Sequence, residues 1–250
     1  MGETMKISQE QKAKTRSMIV RASVDVITEK GFKDATMHEI AKRAKVAGAT
    51  IYGYFPTKES IVYGYFEEQL IAAVERLRAF DGFEKYSFQE QLQTFLETEL
   101  ELFLPDREFI QHTFRIVFFS IGQSYSGVKS IKTLFLKVVD DIFKAAIEVG
   151  EIPPQPFSEI SYQLAWDYYI GLVGYWLNDR SNQFTNTSLL LDKSLDLACA
   201  FLKAGIPERI FNTASFLFRN HVLSRLDYFK DKADTARRIK RQFMEQNHVR

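Results

Sequence analysis

Residues 36–59 read TMHEIAKRAKVAGATIYGYFPTKE, and this stretch limits what the chain can fold into more than any other. Thr36, followed three positions later by Glu39, is a capping box that starts a short helix. Ile40, Ala41 and Ala44 give that helix one apolar face. Lys45-Val46 forms a tight turn, and a second short helix follows over Gly48–Tyr54, with Ile51 and Phe55 four apart and facing inward. Pro56 ends it, and Thr57 caps a longer helix. Two short helices across a tight turn, the second rich in small residues, make the layout of a helix-turn-helix. Its second helix is of a size that a DNA major groove admits.

With Ile51 inward, Ala49 and Gly53 lie on the outward arc, flanked by Thr50 and Tyr52. Small outward residues allow close approach of the backbone. An exposed glycine in mid-helix costs about 1 kcal/mol against alanine, which calls for a reason such as close contact. Thr50 can donate to a base edge or a phosphate and touch a thymine methyl group. Tyr52 and Tyr54 can donate hydroxyls to phosphates. Lys58 and the first N–H groups of the following helix offer a further phosphate site. The DNA-contact set expected here is Thr36, Lys45, Gly48, Ala49, Thr50, Tyr52, Tyr54 and Lys58. Ahead of the motif, Lys6, Lys12, Lys14 and Arg16 form either a DNA-contacting arm or a solvated, frayed terminus.

The net charge of +1 conceals a split. Residues 1–55 carry ten basic and six acidic side chains, residues 206–250 ten and five, and the stretch between them thirteen and twenty-one. Basic ends suit a polyanion, and an acidic middle does not lie on one. The single cysteine, Cys199, excludes an intrachain disulfide framework and fits a reducing, cytoplasmic setting. The longest apolar run, Leu164 to Leu177, contains Asp167 and is too short to span a bilayer, so no membrane partner is expected.

Periodicity makes the whole chain helical. A first helix covers about Lys12 to Lys30, with Gly31 as its C-cap. The helix that Thr57 caps carries a stripe of Val62, Phe66, Leu70, Ala73 and Leu77 and ends near Asp81-Gly82. Ser87 and Glu90 open a helix to Leu104. Pro105-Asp106 opens another to Ile121, and Gly122 to Gly127 reads as a loop before a helix to Val149. After the break at Pro153-Pro154, helices follow from Ser158 to Asn178 and from Thr187 to Gly205. No strand alternation and no repeat stand out. The expected organisation is a head over 1–57, a connecting helix over 58–81, a body over 82–205 and a helical extension over 206–250.

Residues 15–61 closely resemble the N-terminal DNA-binding domain of TetR-family transcriptional regulators. The resemblance rests on Glu29-Lys30-Gly31-Phe32, Thr36, Ile40-Ala41, Ala44-Lys45-Val46, Ala49-Thr50-Ile51-Tyr52, Tyr54-Phe55 and Thr57-Lys58-Glu59. It implies an all-α fold: a three-helix head plus a larger helical body that binds a small molecule and pairs its last two helices across a homodimer. Ala47 departs from the Ser or Thr that often caps the family's recognition helix. Alanine is a poor cap, and the loss is about 1 kcal/mol. Gly53 stands where the family often carries a longer polar side chain. Together these imply modest base readout from Thr50 and Tyr52, with DNA shape supplying much of the rest.

In the body, the expected effector pocket is lined by Phe103, Phe114, Phe118, His112, Tyr125, Trp166, Asp167 and Tyr169, the mostly apolar composition of a small-ligand site. The alternative is a plain aromatic core. The expected dimer face uses Tyr162, Ile170, Gly174, Trp176, Leu190, Leu197 and Phe201, because two adjacent helices are apolar over wide arcs. The implied function is a DNA-binding regulator, a repressor released from a palindromic operator by a largely apolar effector. An activator of the same fold is the alternative. An enzyme has little support: the chain lacks HExxH, a paired-Cys motif, a phosphate-binding glycine loop and GxSxG, and its four histidines are scattered, so neither a catalytic site nor a metal or other cofactor is expected. A non-specific architectural protein is opposed by the acidic body.

Overall fold

The computed structural model describes residues 8–119, 125–154 and 158–204. The expected extension over 206–250, Lys6 and the side chain of Tyr125 lie outside the described residues. Every regular element among the described residues is helical.

Helix α1 (Gln9–Asp34) starts on Ser8, whose hydroxyl accepts the Gln11 N–H at 3.1 Å. Its inner face buries Ile19, Val20, Ala22, Val26 and Ile27. The positive-φ glycine expected at Gly31 is present and marks a kink between two helical segments. Gly31 adopts φ 79°, and the chain then adds one more helical turn to Asp34. Helix α2 (Met37–Arg43) has the capping box read from Thr36 and Glu39. The turn after it is a Schellman motif: Val46 N–H reaches Ala41 O at 3.0 Å and Lys45 N–H reaches Lys42 O at 3.2 Å. Lys45 occupies the left-handed position at φ 55°, where glycine is usual. Helix α3 (Gly48–Tyr54) follows, its N-cap Ala47 without a side-chain hydrogen bond. Thr57 and Ser60 then cap α4 (Lys58–Ala79) reciprocally.

The body consists of α5 (Phe88–Phe103), a 3-10 turn over Leu104–Asp106, α6 (Arg107–Phe119), α7 (Tyr125–Glu148), α8 (Ser158–Asn178) and α9 (Thr185–Lys203). Helix α4 runs from the head into this body and packs on α5 and α7, while α1 lies against α6. Aromatic rings fill the interior: Tyr65 and Phe66 of α4 meet Phe103, Phe109 and Phe118, and Phe135 of α7 meets Trp166 and Tyr169 of α8.

Two helix starts differ from the sequence reading. The loop expected through Gly127 already belongs to α7 from Tyr125 onward. A Cβ at Gly127 would sit 2.2 Å from the Tyr63 ring, so the glycine is there to let α7 touch α4. Helix α9 begins at Thr185 rather than Thr187. The polar turn before it is organised by Asp179, which accepts from Ser181 N–H and hydroxyl with one oxygen and from Thr187 N–H and hydroxyl with the other. These bonds, the Thr187 hydroxyl first, hold the Asp179 carboxyl down at about 2.

Candidate DNA-binding surface and effector core

On α3 only Ile51 is buried; Gly48, Ala49, Thr50, Tyr52 and Gly53 are exposed, and Tyr54 is half-buried. A Cβ added at Gly48 or Gly53 would meet nothing within 4 Å. Among the described residues, nothing therefore requires glycine at either position. Lys45 is exposed on the turn just ahead of α3. Thr36 is exposed too, but its hydroxyl already donates to Glu39 Oε2 at 2.8 Å and accepts the Glu39 N–H at 3.2 Å, so its main task is the cap. Bonds from Lys30, then Thr36, hold Glu39 down at about 2.

Lys58 corrects the sequence reading. Its ammonium donates to the carbonyls of Phe32, Lys33 and Ala35 and lies 4.4 Å from the centroid of the Phe32 ring. It ties α4 to the end of α1 instead of standing free for a phosphate. Arg16 is likewise engaged, bonding Glu67 at 3.1 Å and Glu68 at 2.6 Å while its guanidinium lies over Phe55 at 5.1 Å. It belongs to the α1–α4 contact and not to a loose arm.

Head and body meet where Arg21 of α1 donates one nitrogen to both oxygens of the buried Asp106, at 2.8 and 3.0 Å. The next residue, Arg107, donates to the carbonyls of Trp176, Leu177 and Asp179 at the end of α8. Its guanidinium lies against the rings of both Trp176 and Phe184, 5.4 and 5.1 Å away. A cation there complements the negative end of the α8 dipole. Arg107, Gln111, Arg180, Ser181 and Phe184 line a polar cleft of about 430 Å³.

Of the expected pocket residues, Phe103, Phe114, Phe118, Trp166 and Tyr169 share one ring-lined interior. Two do not. His112 is exposed on the outer side of α6. Asp167 is half-buried and accepts from Gln163 one turn earlier, on a polar stripe that also holds Lys132. Sequence reasoning missed Glu99, which is 0% exposed among these rings. The signal was present: Phe88, Leu92, Phe95, Glu99 and Phe103 follow one helical stripe, so a carboxyl interrupts the apolar face of α5.

The expected dimer set divides. Trp176 is buried inside the subunit. Gly174 faces Phe114, whose ring would lie 3.3 Å from an added Cβ. Tyr162 turns to α7, donating to Asp140 at 2.6 Å, and Ile170 packs on the core. These four serve the subunit's own packing. By contrast, Leu190, Leu197 and Phe201 are exposed by 37, 57 and 49%, and Leu189 and Tyr175 join them at 55 and 43%. The opposite face of α9 buries Thr187, Leu191, Leu195 and Cys199.

This arrangement matches known proteins along most of its length. Residues 19–64 fit the family described as bacterial regulatory proteins, tetR family, and residues 91–217 fit the tetracyclin repressor-like C-terminal domain. The chain belongs to the TetR family. It is 31% identical over 171 residues to a fatty acid metabolism regulator protein of Bacillus subtilis, covering 68% of this chain and 88% of the relative. Among solved structures, it resembles the transcriptional regulator FadR from Bacillus subtilis in complex with stearoyl-CoA. That likeness has 26% identity and a TM-score of 0.59 and covers 76% of this chain and 99% of that one. A TetR transcriptional regulator from Rhodococcus sp. RHA1, 21% identical with a TM-score of 0.60 over 74% of this chain and 96% of its own, shares the fold. As a TetR-family member, this protein is a ligand-responsive, DNA-binding transcriptional regulator. Among the described residues, no helix is long and apolar enough to cross a membrane.

Proposed function

We propose that the protein is a dimeric repressor whose two heads bind a palindromic operator and which a long-chain acyl thioester releases. The exposed face of α3 carries the DNA part of this reading. Its two glycines meet nothing among the described residues, so close approach to a partner explains them best. Thr50 and Tyr52 read bases, while Tyr54 and Lys45 hold phosphates. Dimeric readers of this kind bind half-sites about one DNA turn apart, roughly 34 Å.

The exposed apolar stripe of α9, with Leu190, Leu197 and Phe201, supports pairing with a second copy, since such patches usually meet a partner. The effector class is supported by the likeness to the stearoyl-CoA complex and by an interior of rings suited to an alkyl chain. Effector binding releases DNA only by favouring one arrangement of head and body over the other. Helix α4, shared by both, and the Arg21–Asp106 bond are the parts placed to carry that change.

Selection of bound duplexes from a random pool tests the reading. A palindromic consensus, with stearoyl-CoA lowering its affinity, is the expected result. Binding of all duplexes alike at every salt concentration would instead indicate a non-specific DNA-coating protein.

A further inference from the structure

The described interior holds polar atoms that nothing satisfies. Glu99 on α5, Tyr65 on α4 and Tyr169 on α8 are all buried, with 0, 1 and 2% exposure. Tyr169 donates its hydroxyl to Glu99 Oε2 at 3.1 Å. Among the described residues Glu99 Oε1 makes no hydrogen bond, and the Tyr65 hydroxyl faces the Asp106 carboxylate without closing a hydrogen bond to it. Electrostatic interaction links Tyr65 to Glu99 and Asp106, and links Tyr169 to Glu99 and Tyr65, so the three groups share one neighbourhood. Rings close it off: Phe109 lies 4.7 Å from Tyr65, and Phe135 stacks on Tyr169 at 4.6 Å.

A buried polar atom left unpaired costs about 1–3 kcal/mol, and native interiors hold few of them. Two within electrostatic reach of each other, from two different helices, call for a reason. Burial, opposed only by the Tyr169 bond, pushes the Glu99 carboxyl up to about 8. At neutral pH the group is therefore mainly a carboxylic acid. With Oε2 accepting from Tyr169, Oε1 is free to carry the proton outward as a donor. Tyr65 offers a second O–H.

We propose that Glu99 and Tyr65 form the seat for the neutral carbonyl of an acyl ester or thioester, which accepts a hydrogen bond from each. The proposal rests on the acyl-thioester reading above and adds to it the atoms that recognise the ligand's polar end and the form of ligand they refuse. Among the described residues, no lysine or arginine bonds Glu99, and Asp106 stands beyond Tyr65 with Arg21 already attached. A free carboxylate would bring uncompensated charge into this interior and is rejected, because burying an unpaired ion is far costlier than burying a neutral carbonyl. The seat is also placed to report its occupancy. Helices α4, α5 and α8 each supply one group, so a ligand among them selects their relative positions, and α4 continues into the head.

The test uses the full chain, with stearoyl-CoA as probe, in Tyr65→Phe, Glu99→Leu and Glu99→Gln variants. Free Tyr65→Phe stays near the parent in thermal stability, because the hydroxyl closes no hydrogen bond to the neighbouring Asp106, yet binds stearoyl-CoA about tenfold more weakly. Glu99→Leu loses a similar factor. Glu99→Gln retains a donor and stays within about threefold of the parent. A short neutral probe, the N-acetylcysteamine thioester of a saturated fatty acid, stabilises the parent chain more than the same acid free. If Tyr65→Phe and Glu99→Leu fold and bind stearoyl-CoA as the parent does, the seat is wrong while the effector class stands. If the parent chain binds no acyl-CoA, the effector class fails and the seat fails with it. Stronger stabilisation by the free acid than by its thioester also overturns the proposal.

Discussion

The head and the body are both helical bundles, yet they are held in different ways. In the head, neighbours in sequence do most of the organising. Thr36 with Glu39 and Thr57 with Ser60 cap two helices, and a Schellman turn separates α2 from α3. A short set of apolar residues, chiefly Ile19, Ile27, Ile40, Ile51 and Phe55 with Ala41 and Ala44, fills the space between. In the body, rings from helices far apart in sequence do the packing, and one carboxyl, Glu99, is buried among them with no cation paired to it among the described residues. A frame fixed by local bonds can hold an exposed face such as α3 rigid with little core behind it. A core of interlocking rings instead has many ways to rearrange around a guest, and α4, the α1–α6 contact and the Arg21–Asp106 bond join it to the head.

Four variants, one of them double, put this contrast to the test. The largest effect is expected for the Thr50→Ala, Tyr52→Ala double variant. Affinity for the selected operator falls about a hundredfold, since each lost base or phosphate contact is worth about 1–3 kcal/mol. Thermal stability is unchanged, because both side chains are exposed. Next, Lys58→Met removes the ammonium from three carbonyls at the α1–α4 junction, and chemical denaturation should show a loss of about 2 kcal/mol. A free surface lysine would show almost none.

The third concerns pH. The carboxyl of Glu99 is raised in the folded chain, from 4.5 to about 8, so between those values the folded state binds more protons than the unfolded one. Stability contributed by the neutral acid is therefore present at low pH and falls as pH rises through that window. Glu99→Gln should flatten the profile there, and equal pH slopes for the two chains would contradict the burial argument. The smallest effect is Lys45→Gly. It relieves the left-handed strain at φ 55° and should raise the melting temperature slightly, by about 0.5–1 kcal/mol of stability, while weakening DNA binding by the loss of one cation.

How much was legible in the sequence follows the same division. Caps, turns and the short helices of the head are local, and residues three or four apart state them openly. The helix starts that were misread, at Tyr125 and Thr185, depend on distant partners: Tyr63 pressing on Gly127 in one case, the side chain of Asp179 in the other. Side-chain roles failed for the same reason. Lys58 has the position and charge of a phosphate ligand, and only the fold brings three carbonyls to it. Gly174 and Trp176 sit on an apolar helix whose partner, a second subunit or the chain's own α6, periodicity cannot distinguish. Glu99 was visible as a break in the α5 stripe, but its meaning depends on Tyr65 and Tyr169 from two other helices.

The central claim is that occupancy of the aromatic body controls an otherwise rigid DNA-reading head. Fluorescence anisotropy of the labelled, selected operator with the full chain, titrated with stearoyl-CoA, tests it most directly. Stearoyl-CoA is expected to release the operator at concentrations that also raise the melting temperature. Operator affinity that stays constant while the melting temperature shows the body to be saturated would contradict it.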